Sequence, residues 1–208
     1  MMKSLATVVA LPRLFELLLV GCWVVATGAQ VRAESHEIDR ERSTVTIRVS
    51  KAGMFRAFGD DHEVRAPLTS GSVEDGPQAS VRLAFNAAQL RVVDPGASPD
   101  DRQQVQSRML GPDVLDVARF PEIRFESTDV RRTDSDHLSL NGALTLHGQT
   151  HPVVVSVARD RDRYRGTATV KQTAFGIKPV TVAAGTVKVK DEVTIEFDIV
   201  TRAAKPVH

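Results

Sequence analysis

The residues best suited to chemistry in this chain form an acidic cluster at positions 60–63, with the sequence Asp-Asp-His-Glu. Carboxylates and imidazoles can bind a divalent metal or transfer protons. A second candidate pair, His147 and His151, is four residues apart, but Gly148 lies between them and favours a turn over a helix face. Neither group has the H-E-x-x-H spacing or a comparable metal signature. We therefore predict no metal site, and interpret these residues as a solvated acidic turn and hairpin histidines.

Motifs for nucleophilic catalysis and for nucleotide binding are missing from the sequence. It contains no G-x-S-x-G elbow, no G-x-x-x-x-G-K-[ST] loop and no G-x-G-x-x-G fingerprint. We predict no catalytic residues, no enzymatic activity and no cofactor. The alternative hypothesis is an enzyme whose active site includes Asp61 and His62.

Composition narrows the class of protein further. The chain has 208 residues, 27 Lys and Arg against 26 Asp and Glu, and one cysteine. A net charge of +1 does not supply the dense basic surface of a nucleic-acid-binding protein, so we predict no nucleic-acid partner. The 42% hydrophobic residues are mostly aliphatic and β-branched, because aromatics make up only 5%. This composition favours strands.

The first 33 residues have the features of a secretory signal peptide. Lys3 and Arg13 lie in a basic N-terminal region, and residues 17–28 form an uncharged, mostly apolar segment. Residues 31–33, Val-Arg-Ala, then match a signal-peptidase cleavage site. An apolar run of about 12 residues is shorter than the roughly 20 that a membrane-spanning helix needs. We expect cleavage after Ala33, a mature domain of residues 34–208, and a periplasmic or secreted protein.

Cys22 supports an alternative processing route. Residues 19–22, Leu-Val-Gly-Cys, resemble a lipoprotein signal, in which the cysteine is acylated and anchors the protein to the envelope membrane. The residues after Cys22 are apolar, whereas a lipoprotein tether is normally polar, so soluble secretion is our first interpretation.

From residue 36 onward, apolar residues recur at every second position. Such alternation is typical of strands with one buried and one solvated face. The alternating positions are Val45, Ile47, Val49; Val81, Leu83, Phe85; Ile123, Phe125; Leu138, Leu140, Gly142, Leu144, Leu146; Val153, Val155, Val157; Tyr164, Gly166, Ala168, Val170; and Val193, Ile195, Phe197, Ile199.

Short polar segments at 134–136, 148–150, 160–162 and 190–192 predict hairpin connections between these strands. About eight such strands can close into an antiparallel barrel, which removes exposed edges. A two-sheet sandwich uses the same pattern, so the periodicity alone leaves both folds open.

One segment predicts a helix instead. Ser98 can cap it, Pro99 suits its first position, and two aspartates follow. Residues 102–110 carry an apolar stripe, and Gly111-Pro112 ends this helix. We expect a second short helix that carries Val114 and Leu115. We expect this helical insertion, near residues 99–117, to cover one end of the β structure.

Three segments together resemble the YceI-like family of exported lipid-binding proteins. Residues 109–127 include Phe-Pro-Glu-Ile-Arg-Phe-Glu-Ser, residues 142–153 read Gly-Ala-Leu-Thr-Leu-His-Gly-Gln-Thr-His-Pro-Val, and residues 175–177 read Phe-Gly-Ile. Residues 190–193 precede a final strand, and the resemblance covers roughly residues 35–200.

This resemblance implies an all-β fold, an extended antiparallel lipocalin-like β-barrel. It also implies a long apolar ligand in the barrel interior, either a polyisoprenoid or an isoprenoid quinone, bound without catalysis in the bacterial envelope. The chain departs from the family pattern at Arg42 and Lys51, where histidines are usual, and in residues 171–174, which lack an expected arginine. Residues 55–63 also form a different first loop, so the chain resembles a subgroup.

The candidate ligand-binding residues are aromatic and aliphatic side chains. Side chains next to glycines suit the mouth of the barrel, and side chains in the middle of strands suit the lining of its cavity. Side chains of the helical insertion would cover the same cavity. The predicted set is Phe55, Phe58, His62, Phe85, Met109, Leu110, Val114, Leu115, Phe125, Leu144, Phe175 and Ile177. We expect His62, Arg56 or His147 to hydrogen-bond the polar head of the ligand.

A second function remains compatible with the sequence. The barrel could have a core filled by its own side chains and act through its surface, in stress response or scaffolding. The two hypotheses differ in whether a continuous apolar cavity exists. The sequence leaves the oligomeric state open.

Overall fold

The computed structural model describes residues 34–52, 62–76, 78–182 and 187–202. The predicted leader with Cys22, and Phe55, Arg56 and Phe58 of the predicted first loop, lie outside this part of the chain. The described strands are β1 Glu34–Glu37, β2 Thr44–Ala52, β3 His62–Arg65, β4 Leu68–Asp75, β5 Ser80–Asn86, β6 Arg91–Val92, β7 Glu122–Arg132, β8 His137–Leu146, β9 Gln149–Asp160, β10 Arg163–Lys171, β11 Thr181–Val182 and β12 Val187–Val200.

Within the described residues, these strands form one antiparallel sheet in the order β1-β4-β5-β7-β8-β9-β10-β12-β2-β3-β6, and β11 pairs with β12. The side chains predicted to face inward alternate with solvated ones as expected. In β9, for example, Val153, Val155 and Val157 are buried while Val154 is 61% exposed. The alternation therefore identified the buried face of the sheet correctly.

The sheet curls back on itself through the segment that contains β3 and β4. The β3 strand pairs with β2, whereas β4 pairs with β5 and β1, near the other end of the sheet. Only Ala66 and Pro67 separate these two strands. A bridge between Ile38 and Thr201 further connects the end of β1 to the end of β12. The predicted antiparallel barrel is confirmed, and the sandwich is excluded.

One predicted hairpin is wrong. Residues 190–192 do not turn the chain, because β12 continues from Val187 to Val200 with a register shift between Val189 and Val193. At this irregularity the Asp191 carboxylate accepts hydrogen bonds from the Thr173 backbone N–H at 2.8 Å and from its hydroxyl at 2.7 Å. The polar residues interrupt the alternation because they form a bulge that anchors a neighbouring 3₁₀ turn, Gln172–Phe175.

The connection between β8 and β9 is a two-residue turn at His147 and Gly148. Their φ angles are +51° and +71°. Positive φ at both central residues suits the twist of a hairpin, and glycine adopts it without steric cost. Gln149 and Thr150, which the sequence placed in the connection, belong to β9.

Helix α1 spans Pro99–Leu110, as its capping residues predicted. The Ser98 hydroxyl accepts a hydrogen bond from the Asp101 backbone N–H at 3.1 Å, and Gly111 follows the last residue. Val114 and Leu115 lie in turns and not in a second helix. The Gln106 side chain accepts a hydrogen bond from the Val92 backbone N–H and donates one to the Leu90 carbonyl, each at 2.8 Å. These two bonds hold the helix over the edge strand β6.

Glycines on the inner face allow aromatic rings to lie against the barrel wall. A Cβ on Gly142 would overlap the Phe125 ring.

In the part of the chain that the structure describes, no helix is both long and apolar enough to span a membrane.

Gly166→Ala is expected to destabilise the protein by about 2 kcal/mol, because the new Cβ would overlap the Ser156 carbonyl oxygen and lie 2.6 Å from Phe197 Cζ. Urea unfolding of the variant measures the change. Thr167→Ala, at the exposed neighbouring position, is the control and should cost less than about 1 kcal/mol. Equal unfolding midpoints for Gly166→Ala and the unmodified protein would show that the barrel wall relaxes around a methyl group.

Candidate functional site

The barrel encloses a cavity of about 230 Å³. This volume exceeds that of engineered apolar cavities of about 150 Å³, which stay dry and bind benzene. Side chains from β2, β4, β5, β7, β8, β9, β10 and β12 face it. Its apolar lining includes Ile38, Val45, Ile47, Val73, Val81, Leu83, Phe85, Leu90, Leu115, Ile123, Phe125, Val130, Leu138, Leu140, Leu144, Leu146, Val153, Val155, Val157, Val170, Val193, Ile195, Phe197 and Ile199.

Polar side chains line the cavity at one end, where β4 and β9 finish and where β5 and β10 begin. They are Glu74, Asp75, Ser80, Arg159 and Tyr164. We call this group the polar end of the cavity. Each of these residues lies within about two positions of the end of its strand.

An ion pair crosses the polar end. The Arg159 Nη2 atom lies 3.1 Å from Asp75 Oδ2, although β5, β7 and β8 separate their strands in the sheet. His36 Nε2 approaches the same Asp75 oxygen at 3.7 Å. Glu74 accepts hydrogen bonds from Arg82 and from the Ser80 hydroxyl, each at 3.0 Å. The carboxylates at this end are therefore paired, as partly buried charges must be.

Tyr164 combines an apolar ring with a polar group at the cavity wall. Its side chain is only 8% exposed, and the Arg159 guanidinium carbon lies 5.4 Å from its ring centroid. Burial raises the pKa of the phenol above its ordinary value of 10.0, and the Asp75 carboxylate raises it further. The hydroxyl is consequently protonated at neutral pH and can donate a hydrogen bond.

The opposite end of the cavity is apolar. Leu90 and Leu115 line it there, and residues of α1 and the turn after it pack against the same core. The half-buried side chains of α1 include Val105 and, four and five positions later on the same helix face, Met109 and Leu110. The cavity thus has a polar end and an apolar end covered by the helical insertion.

Four residues of the predicted ligand-binding set line the cavity: Phe85, Leu115, Phe125 and Leu144. Met109, Leu110 and Val114 are partly buried and pack against the core, but they are not part of the cavity lining. Phe55 and Phe58 lie outside the described residues, so the structure does not place them.

Phe175 and Ile177 are buried, with exposures of 1% and 3%, yet they also lie outside the cavity lining. The carbonyl of Phe175 is 3.1 Å from His147 Nδ1, and the His151 ring meets the Phe175 ring edge-on at 5.1 Å. These contacts attach the 3₁₀ turn to the β8–β9 hairpin.

His62 contacts a buried carboxylate and does not line the cavity. Its Nδ1 atom lies 2.6 Å from Asp94 Oδ2, and the Asp94 side chain is 3% exposed. The other Asp94 oxygen accepts the Glu63 backbone N–H at 2.6 Å. This cluster attaches β3 to the loop before α1, which is a sufficient structural role for a histidine–carboxylate pair.

The polar end is far from His147 and His62, two of the residues that were expected to contact the head of a ligand, and the third, Arg56, lies outside the described residues. His147 precedes β9, whereas Arg159 lies near the end of this 12-residue strand. At about 3.4 Å per residue, they are roughly 40 Å apart along the chain. His62 and Asp75 likewise lie at opposite ends of the β3–β4 segment.

The sequence pattern did contain a signal for the polar end. Asp75 follows Val73, and Arg159 follows Val157, at the next inward-facing position of the same strand. A charged residue that continues an apolar stripe by one step marks the place where a buried face meets a polar environment. Tyr164 similarly begins the stripe of β10.

Among the described residues, no group of three or more His, Cys, Asp or Glu side chains lies close enough to hold a metal ion. Asp60 and Asp61 of the acidic cluster lie outside these residues.

Comparisons with known proteins connect this geometry to a family. A family model for the YceI-like domain matches residues 36–201. A UPF0312 protein from Pseudomonas putida is 27% identical over 181 residues, which cover 81% of this chain and 88% of the relative. A UPF0312 protein from Pseudomonas savastanoi is 38% identical over 76 residues, and there the match spans only 40% of the relative's length.

Two solved structures share the fold at low sequence identity. BcnA from Burkholderia cenocepacia aligns with a TM-score of 0.59 and 21% identity, covering 79% of this chain and 99% of BcnA. A polyisoprenoid binding domain from Saccharophagus degradans aligns with a TM-score of 0.54 and 12% identity, covering 83% and 99%. Because the family model covers nearly all the described residues and these structures share the barrel, this chain belongs to the YceI-like domain family.

Proposed function

We propose that this protein binds a long apolar lipid of the isoprenoid type inside its barrel, without catalysis, in the bacterial cell envelope. The ligand would be a polyisoprenoid or an isoprenoid quinone. The cavity is the observation that carries this proposal, because it is lined by aliphatic and aromatic side chains along the barrel and has polar groups at one end.

An extended apolar cavity suits a chain-like hydrocarbon. Transfer of each methylene from water to such a site stabilises the complex by about 0.8 kcal/mol, or about 4 kcal/mol for a five-carbon isoprene unit. A surface-acting module with a filled core has no need for this cavity, since core side chains normally pack with few voids larger than water. The cavity therefore favours the binding function over the surface-acting alternative.

Relatives support the class of ligand. One solved structure with this fold is a polyisoprenoid binding domain, and the chain belongs to the same fold family. At 12% identity this likeness supports the fold, and the transfer of its ligand to this chain is part of the proposal. The lack of nucleophile and nucleotide motifs in the sequence is consistent with binding in place of catalysis.

The ligand can be identified directly. Protein produced with its leader in a bacterial host, and purified without detergent, should release an isoprenoid lipid into organic solvent at close to one molecule per chain. Mass spectrometry of the extract identifies it. An empty extract, from protein that also fails to take up added isoprenoid quinone, would contradict the proposal and favour a surface-acting module.

A larger side chain inside the barrel should block lipid uptake. Ala168 lines the cavity, so Ala168→Phe is expected to lower the amount of bound lipid at least tenfold by filling space that the ligand needs. Ala168→Leu should have a smaller effect in the same direction. Thr167→Phe places the same ring on the exposed face of the strand and is the matched control. Undiminished lipid in folded Ala168→Phe would show that the ligand lies elsewhere.

Location follows from processing of residues 1–33. Intact-mass measurement of the exported protein is expected to give a chain that begins at Glu34, as the Val-Arg-Ala sequence before it predicts. A chain that begins at an acylated Cys22 would identify an envelope lipoprotein instead. An unprocessed chain would contradict both export routes.

A further inference from the structure

The polar groups of the cavity lie at one end, and they determine which head group a lipid can carry. We propose that Tyr164, Asp75 and Arg159 bind the head of the lipid, an inference that rests on the proposed function. This head is an uncharged group that forms hydrogen bonds, such as an alcohol or a quinone carbonyl, and not a pyrophosphate. The lipid tail would then extend toward Leu90 and Leu115 at the apolar end.

The charge of the lining disfavours an anionic head group. Two carboxylates, Glu74 and Asp75, face the cavity against one guanidinium, Arg159. Arg159 is already paired with Asp75 at 3.1 Å. Arg82, which lies outside the lining, is paired with Glu74 at 3.0 Å. A pyrophosphate needs unpaired cations or several aligned N–H donors, and it would bring more negative charge beside these carboxylates.

Tyr164 provides a hydrogen-bonding group that the protein itself leaves unused. Its side chain is more than nine-tenths buried, with 8% exposure. Among the residues that the structure describes, none forms a hydrogen bond with its hydroxyl. In the described part of the chain, no fully buried side-chain oxygen or nitrogen lacks a hydrogen-bond partner, so the Tyr164 hydroxyl keeps accessible surface. An alcohol or carbonyl oxygen at this end of the cavity can form a hydrogen bond with it. Its raised pKa keeps the phenol protonated and able to donate.

The Asp75–Arg159 pair suits the same kind of ligand. Both partners are about one-third exposed, with values of 35% and 32%, so they are solvated on one side and face the cavity on the other. Asp75 can accept a hydrogen bond from an alcohol, and Arg159 can donate one to a quinone carbonyl. A neutral head exchanges hydrogen bonds with this pair and leaves its charge balance unchanged.

Three C20 isoprenoid lipids test the assignment: geranylgeraniol, geranylgeranyl pyrophosphate and the saturated, headless hydrocarbon phytane. Equilibrium binding to the delipidated mature protein is measured at pH 8. We expect the alcohol to bind at least tenfold more tightly than the pyrophosphate.

Two variants assign the effect to the polar end. Tyr164→Phe should weaken binding of the alcohol about five- to tenfold through loss of one hydrogen bond, and leave phytane binding unchanged. Asp75→Asn should increase the affinity for the pyrophosphate severalfold. Glu122→Gln is its matched control, because Glu122 also pairs with an arginine, Arg124 at 2.6 Å, but does not line the cavity.

The outcomes separate this inference from the function on which it rests. Equal or tighter binding of the pyrophosphate, or alcohol binding that Tyr164→Phe does not change, would overturn the head-group site while the lipid-binding function stands. If none of the three lipids binds, the lipid-binding function itself fails, and the head-group site fails with it.

Discussion

The bend at Ala66 and Pro67 is the constraint on which the barrel depends. Ala66 still donates its backbone N–H to the Val45 carbonyl, at 2.9 Å, as the last bond between β2 and the bent segment. Proline has no N–H to offer, so the ladder to β2 ends there and β4 begins to pair with β5 and β1. One segment thus joins regions near both ends of the sheet, and the apolar faces of the eight strands that line the cavity are directed into a shared interior.

Closure of the sheet gives the cavity two ends of different chemical character, one apolar and one polar. The helical insertion lies beside β6 and contributes Leu115 to one end, where the lining is apolar. At the other end, the strands finish with charged or polar residues that remain on the inward side. These charges are tolerated because Asp75 and Glu74 are each paired with an arginine and are partly solvated. The interior consequently changes from hydrocarbon-like to hydrogen-bonding along its length.

Small residues on the inner face influence how much of this interior remains open. Phe125 lies against Gly142, and Phe197 lies against Gly166, so both rings can follow the wall where a larger neighbour would force them inward. Ala168 continues the same stripe of β10 between Gly166 and Val170. A core of the same fold with larger residues at these positions would be filled, and its function would have to lie at the surface.

The sequence by itself determined the local features of this protein. Alternating Val, Leu and Ile residues identified the inward face of the strands, and Ser98 with Pro99 identified the start of α1, because both signals act between residues close in the chain. The bulge at residues 190–192 was mistaken for a hairpin, since polar residues that interrupt an alternation suit either structure. Only the tertiary structure decided that the barrel keeps a cavity and that its polar end is formed by Asp75 and Arg159. These two residues are 84 positions apart, and periodicity specifies which face a side chain occupies but neither its distant neighbours nor the space left between them.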